Sequence, residues 1–530
     1  MKLVSAIRQN QSLVVKVFRF VGYLLLLIGL SYQIQRLYKK LKIEPEIFSK
    51  ESSIQSSQIP FPAVTVCPPT NVKNEAWNPE FLRLNNLTVN DLRGASLQIC
   101  PNHDIYMLYN ESDVNVVDVL LKSSPNFADN VYQCKLNKYF MGYQDCEKLF
   151  VRSVTEYGIC YTFNMLGHDS LFNDQVSSDF DTFKRTKIAK TWDPEQVMNE
   201  SRHENDTDPP TWSLEDGYLS DGQFVQPAKA LKKQTLLLGV FNPINDSFCE
   251  VRDKNYEILL HLPNELPQLS NDIVSVPLGK EKTFLISAEM TYNEDSLRSF
   301  KPDKRGCYFE GEKSLKVFKS YTKANCEYEC MTDFVNATCG CVEFSMPRTK
   351  DMKVCDFIHY SCISTITTVF PRSYYEDHEN QRKFPDYPCG CLPSCTEIKY
   401  KVIKSEKSKP SEFSSETHLY ADIKITFGDS QIKKTSNYVT YELENFIFDI
   451  GGLIGLFLGS SILSVLELLV NISKIIKSQV LGILNKVKSR EADQSVQSVR
   501  SQSERTSIDT ICSQQFDVDE LLVEDLENSN

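Results

Sequence analysis

"PCGCLPSCTEIKY" (Pro388 to Tyr400) puts Cys389, Cys391 and Cys395 within seven residues and closes a run of ten cysteines that opens at Cys307. Between them stand Cys326, Cys330, Cys339, Cys341, Cys355 and Cys362, with C-x3-C and C-x-C spacings. Two chemistries use such spacings. A zinc site favours a reducing compartment and brings histidines, and only His359 and His378 lie nearby. A disulfide ladder suits a loop-rich region outside the cytosol, because each bridge restricts the unfolded chain. The ladder is the stronger reading and no metal is expected; spacing alone leaves the connectivity open.

Outward from the ladder, two apolar stretches bracket the cysteines. "SLVVKVFRFVGYLLLLIGLSYQI" (Ser12 to Ile34) is interrupted only by Lys16 and Arg19, and is long enough for ~30 Å of hydrocarbon if those cations snorkel. A signal peptide is the alternative, but no small-x-small cleavage site follows. The second stretch, Phe446 to Val470, is followed by Lys474, Lys477, Lys486, Lys488 and Arg490, which predicts a cytosolic C-terminus. Sixteen of the seventeen cysteines lie between the stretches, and Cys512 lies in the tail. Six N-x-S/T sites, at Asn86, Asn110, Asn199, Asn205, Asn245 and Asn336, share that loop as candidate glycosylation sites. The expected layout is a cytosolic N-terminus over 1–12, a span over 13–37 and an extracellular cysteine-rich domain over 38–445. A second span with the pore follows over 446–472, and a cytosolic, disordered tail over 473–530.

The 530 residues carry a net charge of −12, which argues against a nucleic-acid surface and is compatible with attracting cations. Nothing groups His, Ser and Asp into a nucleophile motif, and no phosphate-cradling glycine loop occurs, so an enzyme is not expected. Within the loop, Phe61 to Cys67 and "YGICYTFN" (Tyr157 to Asn164) read as short strands, with a loop-rich region between them. "YEILLHLP" and "KTFLISAEMTY" read as buried strands. "DPEQVMNESRHENDTDPP", between Trp192 and Trp212, reads as an exposed insertion. "HLYADIKITF" alternates, with Leu419, Ala421, Ile423, Ile425 and Phe427 on one side and Tyr420, Asp422, Lys424 and Thr426 on the other. It is expected to lead almost directly into the second span.

The chain resembles the degenerin/epithelial sodium channel superfamily, most of all its insect pickpocket branch. The resemblance is carried by "FPAVTVC" (Phe61 to Cys67), "YGICYTFN", "CEYEC...CGC...MP" (Cys326 to Pro347), "CGCLPSCTEIKY" (Cys389 to Tyr400) and "GSS" at Gly459 to Ser461. These landmarks bracket almost the whole chain. The resemblance implies a trimer with two transmembrane helices per subunit and a disulfide-rich, mixed α/β ectodomain of palm, thumb, finger, knuckle and β-ball. It implies the pairs Cys67–Cys160, Cys134–Cys146, Cys307–Cys395, Cys326–Cys391, Cys330–Cys389, Cys339–Cys362 and Cys341–Cys355, and parity then leaves Cys100 with Cys249. It also implies a sodium-selective, amiloride-sensitive channel of the plasma membrane. No cofactor is expected besides the permeant sodium ion. The partners would be related subunits in a homo- or heterotrimer, and an extracellular ligand is a further candidate.

The second stretch keeps two acids, Asp449 and Glu467. An ionised acid facing lipid is costly, so both should face water or a partner helix. Eighteen residues, five turns, separate them on an ideal helix, which puts both on one face with Ser460 within ~20°. Gly451, Gly455 and Gly459 at every fourth residue fit helix packing as well as a pore. The resemblance implies an extended break at G-x-S, which interrupts the phase at Gly459. Gly459, Ser460 and Ser461 are thereby assigned to selectivity, since carbonyls and hydroxyls replace part of a cation's hydration shell. Asp449 is assigned to the outer mouth, and Glu467 to the inner pore or an inter-helix hydrogen bond.

Two departures stand out. Arg8 and Gln9 occupy the place of the family's gating His-Gly pair, which implies a lost N-terminus or a subunit that works in a heteromer. Phe448 occupies the position where the family keeps a small residue, so it biases the pore open or faces lipid. Competing functions are a non-conducting regulatory subunit, an ATP-gated trimer and a two-span scavenger-type lipid receptor. The last would need neither the acids nor the cysteine ladder.

Overall fold

Where apolar residues alternate along the sequence the chain forms strands, and these stack as two sheets around one core. The computed structural model describes residues 2–42, 46–99, 115–137, 139–183, 214–215, 235–243, 255–268, 273–359, 361–366, 389–405, 409–410, 418–459, 467 and 470–480. The chain divides into two compact units, one of Met1–Ile43 with Tyr441–Asn530 and the other of Glu44–Thr440.

In the larger unit the main sheet runs β1 (Ile47–Gln55), β14 (Gln431–Val439), β10 (Lys280–Asn293), β13 (His418–Phe427), β7 (Thr235–Pro243), β3 (Val131–Leu136), β4 (Tyr139–Met141). Strands β11 (Thr396–Ser405) and β12 (Lys409–Pro410) also pair with β10. The smaller sheet runs β5 (Phe150–Thr155), β6 (Gly158–Phe163), β2 (Ala63–Cys67), β8 (Asn255–His261), β9 (Val274–Pro277). Phe61, Phe163, Ile258, Phe284, Ile286, Ile423 and Phe427 belong to the apolar cluster that these strands enclose.

The alternation in β13 buries Ala421, Ile423, Ile425 and Phe427. Asp422 and Thr426, expected on the solvent side, are buried too. The Tyr132 hydroxyl donates to Asp422 Oδ1 at 2.6 Å, which offsets the loss of water at that carboxylate. β13 does not lead directly into the second apolar stretch. After Gly428–Ser430 the chain resumes as β14, and both strands run parallel to β10, with Phe284 opposite Ile425 and Thr291 opposite Thr435. "QIKKTSNYV" lacks a clean apolar alternation because it pairs with exposed β1, and so gave no strand signal.

The region between Cys67 and Cys160 is not loop-rich. It holds α2 (Pro79–Leu84), α3 (Val89–Ile99) and α4 (Val116–Ser123). Each starts on a side-chain cap. Asn78 accepts from Glu80 N–H, Thr88 and Asp91 bond reciprocally to each other's N–H, and Asn115 accepts from Val117 N–H. Leu92, Val117 and Leu120 join a second core with Phe172, Phe318, Tyr328 and Val335. Tyr328 and Val335 lie on α5 (Lys323–Cys339), capped by Thr322 and ended by Gly340 at φ 73°.

Among the described residues seven disulfides brace this unit: Cys67–Cys160, Cys134–Cys146, Cys307–Cys395, Cys326–Cys391, Cys330–Cys389, Cys339–Cys362 and Cys341–Cys355. Of the last five, Cys307–Cys395, Cys326–Cys391 and Cys330–Cys389 tie α5 and the chain before it to the "PCGCLPSC" segment, while Cys339–Cys362 and Cys341–Cys355 brace the end of α5 and the loop after it. Cys100 and Cys249 lie outside the described residues, as does the insertion between Trp192 and Trp212.

The smaller unit contains α1 (Lys2–Lys42) and α6 (Leu443–Leu458). Helix continues on both sides of the expected 13–37 span. Among the described residues Phe20–Lys42 is the one helix long and apolar enough to cross a membrane. α6 has sixteen residues, and helix is described again at Glu467 and over 470–480.

Candidate functional site

The 3.6-residue period decides which side of α6 is covered. Phe446, Ile450, Leu453 and Phe457 are partly covered, at the i, i+4, i+7, i+11 spacing of one face. Gly29 of α1 supports this packing, since a Cβ there would stand 2.9 Å from the Phe457 ring. Without a side chain, α1 can approach that ring closely. The other face carries Asn445, Asp449, Gly452, Leu456 and Gly459, all exposed. At ~100° per residue these five fall within ~80° of one another.

α6 ends at Gly459, whose φ of 63° and ψ of 20° lie in the left-handed region. Its N–H still donates to the Gly455 carbonyl at 3.0 Å, so it is the last residue bonded into the helix. A residue with a Cβ adopts this conformation at a cost, which glycine avoids. The helix therefore stops where the sequence reading placed a break. Ser460 and Ser461 lie outside the described residues, and Glu467 is exposed beyond them.

At the start of α6, Asp449 is exposed and accepts a hydrogen bond from the Tyr441 hydroxyl at 2.8 Å. Phe448 beside it is 75% exposed, with little of the described chain over it. The Arg8 and Gln9 positions are helical within α1, and their side chains lie outside the described residues. Sequence reasoning missed Tyr441, which precedes the apolar run and carries no motif.

Two sequons are described. Asn86 is exposed, at φ 53° in the turn after α2, whereas Asn336 is half-buried within α5. Asn110, Asn199, Asn205 and Asn245 lie outside the described residues. No group of three or more His, Cys, Asp or Glu side chains suited to a metal occurs among the described residues.

The ectodomain carries acids held away from water. Burial pushes the Glu343 carboxyl up to about 8, and the charge of Glu156 adds to the shift. Burial pushes Glu265 up to about 7, against the pull of the Leu262 N–H that it accepts. Burial pushes His261 down to about 4. Its Nδ1 meets the Leu262 carbonyl at 2.9 Å, which can only accept, so Nδ1 carries the proton and Nε2 accepts from Thr65 at 2.8 Å.

An apolar helix beside a second that exposes an acid and ends at a glycine, separated in the sequence by a disulfide-braced unit, fits a membrane protein of the channel class. The chain belongs to the amiloride-sensitive sodium channel family, which it matches over residues 4–470. It is similar to pickpocket protein 28 of Drosophila melanogaster, 24% identical over 86% of this chain and 73% of that one. The bile acid-sensitive ion channel of Mus musculus is 21% identical over 87% and 83%. Acid-sensing ion channel 2 of Homo sapiens is 24% identical over 83% and 77%. Among solved structures a proton-activated chloride channel covers 86% of this chain and 98% of its own at 8% identity and TM-score 0.26, too low to bear on the fold. The chain is therefore a cation-channel subunit and not an enzyme. Members of the family are plasma-membrane channels assembled from related subunits.

Proposed function

We propose that the chain is one of three subunits of a sodium-selective, amiloride-blocked channel of the plasma membrane, with both termini cytosolic. α1 would supply the first span within 13–37, and α6 with the residues to 472 the second. The observation that carries this reading is the end of α6, a left-handed Gly459 on the same face as exposed Asp449. Sixteen helical residues cover ~24 Å, most of a ~30 Å hydrocarbon layer. The break therefore falls deep in the membrane, where a non-helical backbone is tolerated only against protein or water. Carbonyls released at Gly459, with the hydroxyls of Ser460 and Ser461, would form the constriction. Asp449 would concentrate cations at the outer mouth and Glu467 would line the inner pore. Phe448 would bias the pore open, and Arg8 with Gln9 would modify gating. The remaining pair, Cys100–Cys249, would complete the bridges, and the six sequons would carry glycans, Asn86 first because it is exposed. An extracellular ligand remains the partner to be found.

Two-electrode recording from cells expressing the chain alone tests the reading. Inward current should vanish when sodium is replaced by potassium and fall with amiloride. A current carried equally by both cations would refute sodium selectivity. Current seen only when a related subunit is co-expressed would place this chain in a heteromer.

A further inference from the structure

Tyr441 stands two residues before α6, is 8% exposed, and touches two charged groups at once. Its ring lies under the Lys40 ammonium of α1, 4.9 Å from Nζ to the centroid. Its hydroxyl donates to Asp449 Oδ2 at 2.8 Å. Both contacts lie within the unit built by α1 and α6. A cation over the ring draws electron density from the phenol and makes its O–H a better donor. Among the described residues no other group hydrogen-bonds the Asp449 carboxylate.

We propose that Tyr441 is the positioning residue of the mouth acid, holding one oxygen of the Asp449 carboxylate and linking its orientation to the end of α1 through Lys40. The proposal rests on the reading that Asp449 lines the outer mouth. A carboxylate with one oxygen engaged by a phenol offers a passing cation the other oxygen freely, and a grip by both oxygens only in competition with that hydrogen bond. Sodium needs little more, because it keeps part of its water. Calcium gathers six to eight oxygens and takes carboxylates bidentately, so it gains most from a carboxylate that presents both. Tyr441 would therefore keep the mouth open to sodium and weaken its retention of calcium.

The test is block of sodium current by external calcium in cells expressing the full chain. Tyr441→Phe keeps the ring under Lys40 and removes only the hydroxyl, and should block at about a tenth of the wild-type calcium concentration, the lower end of the worth of a hydrogen bond to a charged group. Asp449→Asn should weaken the block, and adding Tyr441→Phe to it should change nothing further. Lys40→Gln leaves both hydrogen-bonding partners in place, so it keeps the proposal testable should Tyr441→Phe not reach the surface. It should move the block in the same direction by roughly twofold. Unchanged block in Tyr441→Phe, or in Lys40→Gln where that variant alone conducts, overturns the proposal if Asp449→Asn weakens the block. If Asp449→Asn itself leaves calcium block at the wild-type value, the mouth assignment fails, and the role of Tyr441 with it.

Discussion

Gly459 is the position where one methyl group should cost the most. Its φ of 63° is unfavourable for any residue with a Cβ, by about 1–2 kcal/mol for alanine. Alanine also prefers the helical alternative to glycine by about 1 kcal/mol. The two effects act in the same direction, so Gly459→Ala shifts the balance from break to continued helix by about 2–3 kcal/mol, on the order of a hundredfold. Steric collision with the described residues contributes nothing, because a Cβ at this position meets none of their atoms within 4 Å, chain neighbours aside. The same holds for Gly452, which sits inside α6, so Gly452→Ala controls for added bulk on the same face. The assay is the reversal potential as external sodium is exchanged for potassium. Gly459→Ala should lose the shift or the current, Gly452→Ala should keep both, and Gly459→Asn should lie between, since asparagine tolerates the left-handed region. A Gly459→Ala channel at normal surface density with wild-type selectivity would refute the reasoning, because a left-handed residue would then not be needed at that point.

Three further outcomes follow from the ectodomain. Gly239→Ala places a Cβ 2.6 Å from Tyr132 Cζ and displaces the ring that donates to Asp422; overpacking of this kind costs about 1–3 kcal/mol and should lower the melting temperature of the solubilised channel. Arg348 is buried, pairs with Asp179 and donates to the Phe344 carbonyl at 2.8 Å. Arg348→Met leaves Asp179 without its cation, though Asn115 and Ser177 still donate to it, costs about 3 kcal/mol, and should retain the chain inside the cell, measured by surface biotinylation. The Glu343 carboxyl is raised from 4.5 to about 8 by burial, so between those values the folded chain keeps a proton that the unfolded chain releases. Its contribution is complete below 4.5 and is lost as pH rises through 8, so Glu343→Gln should flatten the fall in melting temperature over that window. His261, pushed down to about 4, acts in the opposite sense: its contribution is lost as pH falls from 6.5 through 4.

Legibility followed how much of the signal was local. β13 was readable because "HLYADIKITF" alternates over a buried face; Leu419 is only half-buried, and Asp422 and Thr426 are buried, each with a hydroxyl partner that the sequence cannot display. The cysteines announced an oxidised exterior, but pairs such as Cys307–Cys395, 88 residues apart, are set by the fold. α2, α3 and α4 were passed over because each is short and mixes polar with apolar residues. Their caps were nonetheless in the sequence, as Asn78 before Pro79, Thr88 three before Asp91, and Asn115 before "VVDVLL". Of the candidate site, the acid and the glycine break were visible as chemistry out of place in an apolar run. Tyr441 was not, because its role depends on a side chain eight residues away and a cation four hundred residues earlier.

The register between β1 and β14 suggests how strain in the ectodomain would arrive at that site. Ile47 pairs with Val439 and Gln55 with Gln431, an unbroken antiparallel ribbon of nine positions, extended by Ser56 N–H donating to the Ser430 carbonyl. β1 begins five residues after α1 ends, and α6 begins four residues after β14 ends. These are the two backbone connections between the units. A displacement of the sheet thus enters both helices through strands bonded to each other, and β14 is fixed in turn along β10 from Glu289 to Asn293. Lys40 and Tyr441 sit on the two routes, at the last turn of α1 and the first residue after Thr440. Movement of the strand ends would therefore be passed along the backbone to Lys40 and Tyr441, which meet through the cation–ring contact.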